Sequence, residues 1–299
     1  MDRKSTWLLK YKHNVYSEQG QDGVIKKILN ILPQKDKWCV EFGAWDGVIS
    51  SNSRNLIINL DYSAVLIEAN KTRFKELSRN YAKNNKVTTI NKIVGFKRIN
   101  NLDKILRKTK IPQDFDFLSI DVDGNDYHLW KAMSEYQPKV VCIEFNPTIS
   151  SEVKFVQPQN PAVTWGSSLL SLVELGKKKK YELVSVLSYD AIFVKKKYYP
   201  LLKIKNNTPE TLQTELSAIT HFFTGYDGTV LLQGGKRLPW HDLKIKDSAV
   251  QILPKSIRKF PDNYNIFEKI LFGIYILITD PAKFIRIVLR RINSSLYFI

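Results

Sequence analysis

Residues 39–52, CVEFGAWDGVISSN, place two acidic side chains and two glycines in one short turn after an apolar run. Glu41, Gly43, Ala44, Asp46 and Gly47 follow the pattern E-x-G-x-x-x-G. Glycines at the end of a strand let the backbone turn tightly and approach a ligand where a β-carbon would collide. The dinucleotide fingerprint G-x-G-x-x-G has a third glycine and aims a helix N-terminus at a pyrophosphate. This turn lacks that glycine and carries negative charge of its own, so it suits a cationic ligand better than a phosphate. Glu68 closes the run AVLIEAN, 25 residues after Gly43. An acid at the tip of a second strand accepts hydrogen bonds from a ribose diol. Glu68, its neighbour Ala69 and the turn together predict a site for a nucleoside-containing cofactor.

A second set of polar residues follows later apolar runs. Asp121, Asp123, Asn125, Asp126 and His128 come after one, and Glu144 and Asn146 end the next. Asp121 or Asp123, with Glu144 beside them, could remove a proton from a hydroxyl or hold it, and His128 could relay that proton because an imidazole titrates near neutrality. Asn125 and Asp126 precede an amphipathic run and read better as helix caps. Asp121, Asp123, Glu144 and Asn146 are also hard oxygen ligands compatible with Mg or Ca. DVDGND lacks the remaining positions of an EF-hand loop, and no metal is assigned. The aperiodic stretch PTISSEVKFVQPQNPAVTWGSS has the length of a lid or binding loop, where Gln157, Gln159 and Trp165 could line an acceptor pocket.

These residues need a scaffold that brings them to one rim. SEQGQDGVIKKILNIL (17–32) has helical apolar spacing from a Ser start and stops at Pro33. After the strand WCVEF, helices and strands alternate through NSRNLIINL, SAVLIEAN, KTRFKELSRNYAKN, KVTTINKIV, NNLDKILRKTK, FDFLSIDVDG, NDYHLWKAMSEY, KVVCIEFNP and SSLLSLVELGKKKK. The alternation predicts a doubly wound α/β fold. Only Ser188, Tyr189 and Asp190 separate YELVSVL from AIFVKKKYY, too few for a parallel crossover, so the last two strands form an antiparallel hairpin.

The motifs SEQGQDGVI, VEFGAWDGVISSNSRNLI, VLIEAN, DFDFLSIDVDGNDYHLW, VVCIEFNP, and YELV followed by AIFV resemble the FkbM-type family, similar to class I methyltransferases that use S-adenosylmethionine (SAM). The resemblance covers roughly residues 17–197; Glu41, Gly43, Ala44 and Gly47 match its turn, and Asp121, Gly124 and Asp126 its fourth-strand signature. It implies a Rossmann-like class I fold, mostly parallel and ending in an antiparallel hairpin, with SAM on the turn and at Glu68 and Ala69. It implies O-methylation and says little of the acceptor; the expected acceptor is a hydroxyl on a sugar, glycan or related metabolite, with Asn146 and, from the long loop, Trp165 on its side. The alternative is a non-catalytic Rossmann-fold protein that binds a partner or membrane through a basic C-terminal region.

The chain has 299 residues, a formal net charge of +17 and a pI near 9.6. Such charge suits nucleic acid, acidic glycan or an anionic membrane, or reflects a composition rich in Lys, Asn and Ile. The lysine runs 177–180 and 195–197 flank the final hairpin; the first completes a helix C-terminus, neither is interleaved with aromatics, and nucleic acid is not favoured. Cys39 and Cys142 both sit in apolar runs and read as reduced core residues, and MDRKSTWLLKYKHN lacks the apolar run of a signal peptide, so the expectation is cytoplasmic. The methyltransferase-like domain is expected over 17–200, and a basic, partly amphipathic extension over 201–299. In that extension Lys283, Arg286 and Arg290 share one helical face opposite Phe284, Ile285, Val288 and Ile292. Residues 266–299 therefore suit peripheral contact with a membrane, a pattern also shown by any helix packed on a domain.

Overall fold

The computed structural model describes residues 5–33 and 35–296, with side chains described through Arg290. Short apolar runs bounded by turn residues make the sheet: β1 (Trp38–Phe42), β2 (Ser63–Glu68), β3 (Val87–Asn91), β4 (Phe117–Ile120), β5 (Val140–Glu144), β6 (Tyr181–Val186) and β7 (Asp190–Lys195). Their order is β3-β2-β1-β4-β5-β7-β6. The β1, β2, β3, β4 and β5 pairings are parallel, and β7 runs antiparallel to both β5 and β6. The predicted hairpin is present, and the order is that of a Rossmann-like class I methyltransferase fold.

Alternation along the strands feeds two separate cores, one on each face of the sheet. Val40, Phe42, Leu118, Ile120, Val141 and Ile143 point into one. Helices α4 (Leu102–Leu106), α5 (Asp126–Ala132) and α6 (Leu169–Lys178) cover it. Cys39, Ala64, Leu66, Phe117, Val140 and Cys142 point into the other, beneath α1 (Gln21–Ile31), α2 (Arg54–Leu60) and α3 (Lys71–Asn80). Both cysteines are free thiols in this core.

Helix α1 starts four residues later than the Ser17 start read from sequence. Asp22 Oδ2 accepts the N–H groups of Val15, Tyr16 and Ser17 at 2.8, 2.7 and 2.8 Å, and Ser17 Oγ accepts from Asp22 N at 3.1 Å. These bonds hold 15–20 as a loop, and Gly20, at φ +90°, turns it into the helix.

The chain divides into two compact units between Leu216 and Ser217. The composition change at Tyr199 and Pro200 therefore marks the end of the sheet rather than of the unit. Helices α7 (Tyr199–Leu202) and α8 (Pro209–Leu212) follow β7; Leu202 and Ile204 are buried with the first unit's core, and Trp7 Nε1 donates to Leu202 O at 3.0 Å. The second unit holds the antiparallel pair β8 (Thr220–Thr224) and β9 (Val230–Gly234) and the short pair β10 (Arg237–Leu238) and β11 (Leu243–Lys244). Helices α9 (Ile266–Thr279) and α10 (Pro281–Leu296) complete it. Among the described residues no helix is long and apolar enough to cross a membrane.

Strand register sets the site. Phe42 pairs with Ile67 and Ile120, and Ile120 with Ile143, so Gly43, Glu68, Asp121 and Glu144 end neighbouring strands along one rim. Between β1 and β4 the strand order reverses, which is where open α/β sheets bind ligands.

Candidate active site

The turn after β1 is held by bonds within itself and to the end of β2. Gly43 N and Ala44 N both donate to Ile67 O at 3.1 Å, and Gly47 N to Ala44 O at 2.7 Å. Trp45 N donates to Glu68 Oε2 at 2.8 Å, while Val48 N and Ile49 N donate to Asp46 Oδ1 at 2.8 and 2.9 Å. With these N–H groups occupied, the turn cannot cradle a phosphate as a glycine-rich nest does. The two glycines are required by packing. At Gly43, φ +76°, a β-carbon would stand 1.6 Å from Asp121 O; at Gly47, φ +69°, it would stand 2.5 Å from Leu77 Cδ1. Ala44 is buried in the core, and Asp46 is committed to the turn.

Glu41 is buried beneath this turn. Its Oε2 accepts from Ser51 Oγ and Ser53 Oγ, both at 2.6 Å, and its Oε1 from Asn52 N at 2.8 Å. Burial pushes its carboxyl up, and the Ser51 and Ser53 hydroxyls pull it back. Glu41, expected as a cofactor contact, thus acts as the clamp that holds 51–53 against the sheet. The sequence signal was the hydroxyl-rich SNS ten residues downstream.

Glu68 is placed differently. Its Oε2 takes the Trp45 N–H, and its Oε1 takes Asn70 N at 2.6 Å. Each oxygen keeps a second lone pair, so the carboxylate can still accept from a diol. Asn91 Nδ2 braces the backbone behind it, donating to Glu68 O at 2.8 Å and Ala69 O at 3.1 Å. Ala69 and Trp45 are exposed beside it, with the Arg73 guanidinium 4.2 Å from the Trp45 ring centre.

The turn after β4 presents carboxylates that are not spent. One oxygen from each of Asp121, Asp123 and Glu144 lies within 4.8 Å of the others, a spacing that a shared proton or a hard cation could bridge. Among the described residues no Lys or Arg pairs with them. Asp121 is open to solvent, yet burial is the largest cause of its raised pKa, followed by Asp126, Asp190, Asp123 and Glu41. Glu144 is pushed up in the same way, by burial first and then by Asp121, Asp126, Asp190 and Asp123. Asp126 is the exception in this turn: it accepts Val122 N and Gly124 N, each at 2.9 Å, and fixes the loop. Burial still pushes it up to about 7, against the pull of those N–H groups.

His128 and Asn125 pin the loop that follows β5. His128 Nε2 lies 2.8 Å from Gln157 O, a contact in which Nε2 donates, and Nδ1 has no partner. The imidazole sits edge-on to Phe96 and Tyr127. Asn125 Nδ2 donates to Asn160 O and Val163 O at 3.3 and 3.1 Å. Gln157 is buried, and its Oε1 takes Trp165 N and Gly166 N at 2.9 and 2.8 Å, while Gln159 is exposed. The relay expected of His128 therefore finds a backbone carbonyl rather than a carboxylate, and Gln157 shapes the loop instead of lining a pocket. Asn146 Nδ2 donates to Trp165 O at 2.7 Å, and the Trp165 side chain stands 58% exposed.

Two further residues were quoted in sequence but given no role. Gln21, the first residue of α1, donates Nε2 to Asp190 Oδ2 at 2.6 Å, and Glu18 meets the Ser50 hydroxyl. Asp190 pairs with Glu144 across β5 and β7. The N-terminal segment thus closes the acidic side of the rim.

No family model matches the sequence, and no curated protein matches it. Among solved structures, the N-terminal domain of EvdMO1, in the presence of S-adenosylhomocysteine (SAH) and D-fucose, is similar at 12% identity and a TM-score of 0.38, over 60% of this chain and 83% of that one. The CurJ carbon methyltransferase is similar at 10% identity and 0.42, over 60% of this chain and 56% of that one. The magnesium protoporphyrin IX methyltransferase of Synechocystis PCC 6803, with bound SAH, is similar at 10% identity and 0.39, over 58% and 81%. These likenesses are loose, and the fold rests on the strand order itself.

Proposed function

We propose that this chain is a SAM-dependent methyltransferase that forms a methyl ether on a hydroxyl of a sugar, glycan or related metabolite. The observation that carries the reading is the placing on one rim of Glu68, buried but with a lone pair left on each oxygen, and of Asp121, Asp123 and Glu144, which no described Lys or Arg pairs. The FkbM-like motifs support the same reading and supply the preference for oxygen.

The donor set fits SAM by its chemistry. Glu68 and the exposed backbone at Ala69 would hold the nucleoside, Trp45 offers a flat exposed surface beside them, and the acidic rim favours an ammonium and a sulfonium over a pyrophosphate. When bound, SAM supplies an electrophilic methyl group and leaves as the neutral thioether SAH. The protein's tasks are alignment, exclusion of water and removal of the hydroxyl proton. Glu144 or Asp121 takes that proton as the oxygen gains its methyl group. Their raised pKa values make either a stronger base than an ordinary carboxylate once deprotonated. Asn146 and Trp165, joined through the Trp165 carbonyl, border the acceptor side.

A non-catalytic role for the first unit is disfavoured by those unpaired acids. Like charges held together raise the energy of the folded state, and among the described residues no Lys or Arg offsets them.

Calorimetry with SAM and SAH tests the proposal on wild type, Glu68→Ala and Glu68→Gln. Wild type is expected to bind in the micromolar range, with Glu68→Ala weaker by about tenfold or more, near 1.4 kcal/mol, and Glu68→Gln between them. A folded wild-type protein that binds neither compound overturns it.

A further inference from the structure

We propose that α9 and α10 form an anchor for an anionic membrane, a helical pair lying in the headgroup boundary without crossing the bilayer. The inference stands on the second unit alone and does not depend on methyl transfer.

An ordinary surface helix buries its apolar stripe and shows its polar side to water. Helix α9 does the reverse. At 100° per residue, Leu277, Ile270, Ile274, Phe267, Ile278 and Leu271 fall within an arc of about 120° that contains no polar residue. All of them are exposed, Phe267 and Ile278 to 74% each. The other side is already engaged. Ile276 is buried, Phe272 packs on Tyr264 with ring centres 5.6 Å apart, and Tyr275 OH donates to Ile252 O at 2.6 Å. Glu268 caps the helix through Asn265 and pairs with Lys259. The face turned outward is therefore the apolar one.

Helix α10 adds the charge. Ile285, Val288 and Leu289 are exposed, while Phe284 and Ile287 are half-buried. Lys283, Arg286 and Arg290 share the adjoining arc, and the helix contains no acidic residue. An exposed apolar arc beside a purely basic one matches a surface that offers hydrocarbon beneath negative headgroups. The anchor lies on that surface. With 14 residues α9 is about 21 Å long, short of the roughly 30 Å of a hydrocarbon core. Of the residues whose sequence first suggested membrane contact, 297–299 and the Ile292 side chain lie outside the described residues, and the inference does not use them.

Flotation of the full chain with vesicles tests it, using phosphatidylcholine alone and phosphatidylcholine with about 30% phosphatidylserine. Wild type is expected to float with the anionic vesicles and to be partly released by salt. Ile270→Asp with Ile274→Asp should lower partitioning tenfold or more. Arg286→Glu with Arg290→Glu should remove the preference for anionic vesicles, since each basic side chain near such a surface is worth roughly fivefold. All four side chains are exposed, so circular dichroism should report unchanged folding for both variants. The proposal falls if wild type ignores both vesicles, or if the Ile270 and Ile274 pair floats as well as wild type. It falls equally if that pair only converts a dimer to a monomer in sedimentation, which would give the apolar face to a second copy of the chain.

Discussion

The paired strands β4 and β5 meet acids at the amino end of β4 and at the carboxyl ends of both, and the two ends treat them in opposite ways. At the amino end Asp116 is fully buried beside Lys139, whose Nζ lies 2.7 Å from Asp116 Oδ1 and also meets Asp36. Asp116 further accepts Asp36 N and Lys37 N at 3.1 and 3.0 Å. At the carboxyl end Asp121, Asp123 and Glu144 crowd together, and no Lys or Arg among the described residues pairs with them. The paired acid ties strands to a loop. The acids without a cation do nothing for the fold, and burial first, then the neighbouring acids, holds Asp121 and Glu144 above the ordinary carboxylate range. Acid count along a strand is thus a poor guide to role; the partner decides.

Lys139→Ala is the strongest way to break this contrast from the structural side. It leaves Asp116 buried with two backbone N–H groups but no countercharge, and a loss of about 3–5 kcal/mol is expected in urea unfolding. A loss below about 1 kcal/mol would mean that the buried pair is not the tie described.

Glu144→Gln probes the other end. Methyl transfer should slow on the order of a hundredfold or more, about 2.7 kcal/mol in the barrier, while unfolding shows no loss or a small gain. A variant that loses stability as Lys139→Ala does would erase the distinction between the two ends. Activity unchanged by the substitution would move the proton to Asp121 or Asp123. Chelation by EDTA separates the proton from a cation: rates should stay within about twofold, and a collapse restored by added Mg would give the three carboxylates to a metal.

Much of this was legible before any coordinates. Alternating apolar runs gave both faces of the sheet, and a three-residue gap gave the antiparallel hairpin, because strand and crossover geometry are local constraints. Glu68 and Asp121 followed, since strand ends fix a rim. Glu41 and His128 have partners that the sequence does not announce, for a common reason. Their residue types suit chemistry, but tertiary closure chose their partners: Ser51, Asn52 and Ser53 for one, the Gln157 carbonyl for the other. Nothing in a single chain's spacing states that a carbonyl 29 positions away will come to an imidazole. The Gln21 contact with Asp190, 169 positions apart, escaped for the same reason.

The contrast also has a pH signature with a definite sign. Asp121 and Glu144 have pKa values raised above the ordinary 3.8 and 4.5. Folding therefore favours their protonated forms, and that stability is full below the ordinary values and lost as pH rises through the folded ones. Glu144, pushed up to about 10 by burial first and by the neighbouring acids second, spreads that loss from about pH 5 to about pH 10. Proton removal runs the other way, because only the deprotonated carboxylate serves as base, so turnover should rise over the same range. Glu144→Gln should flatten both curves, as it removes one titrating group from the cluster and the base together. A turnover profile that keeps its rise in that variant, while the stability curve flattens, would leave Glu144 as a source of repulsion and make Asp121 the group that takes the proton.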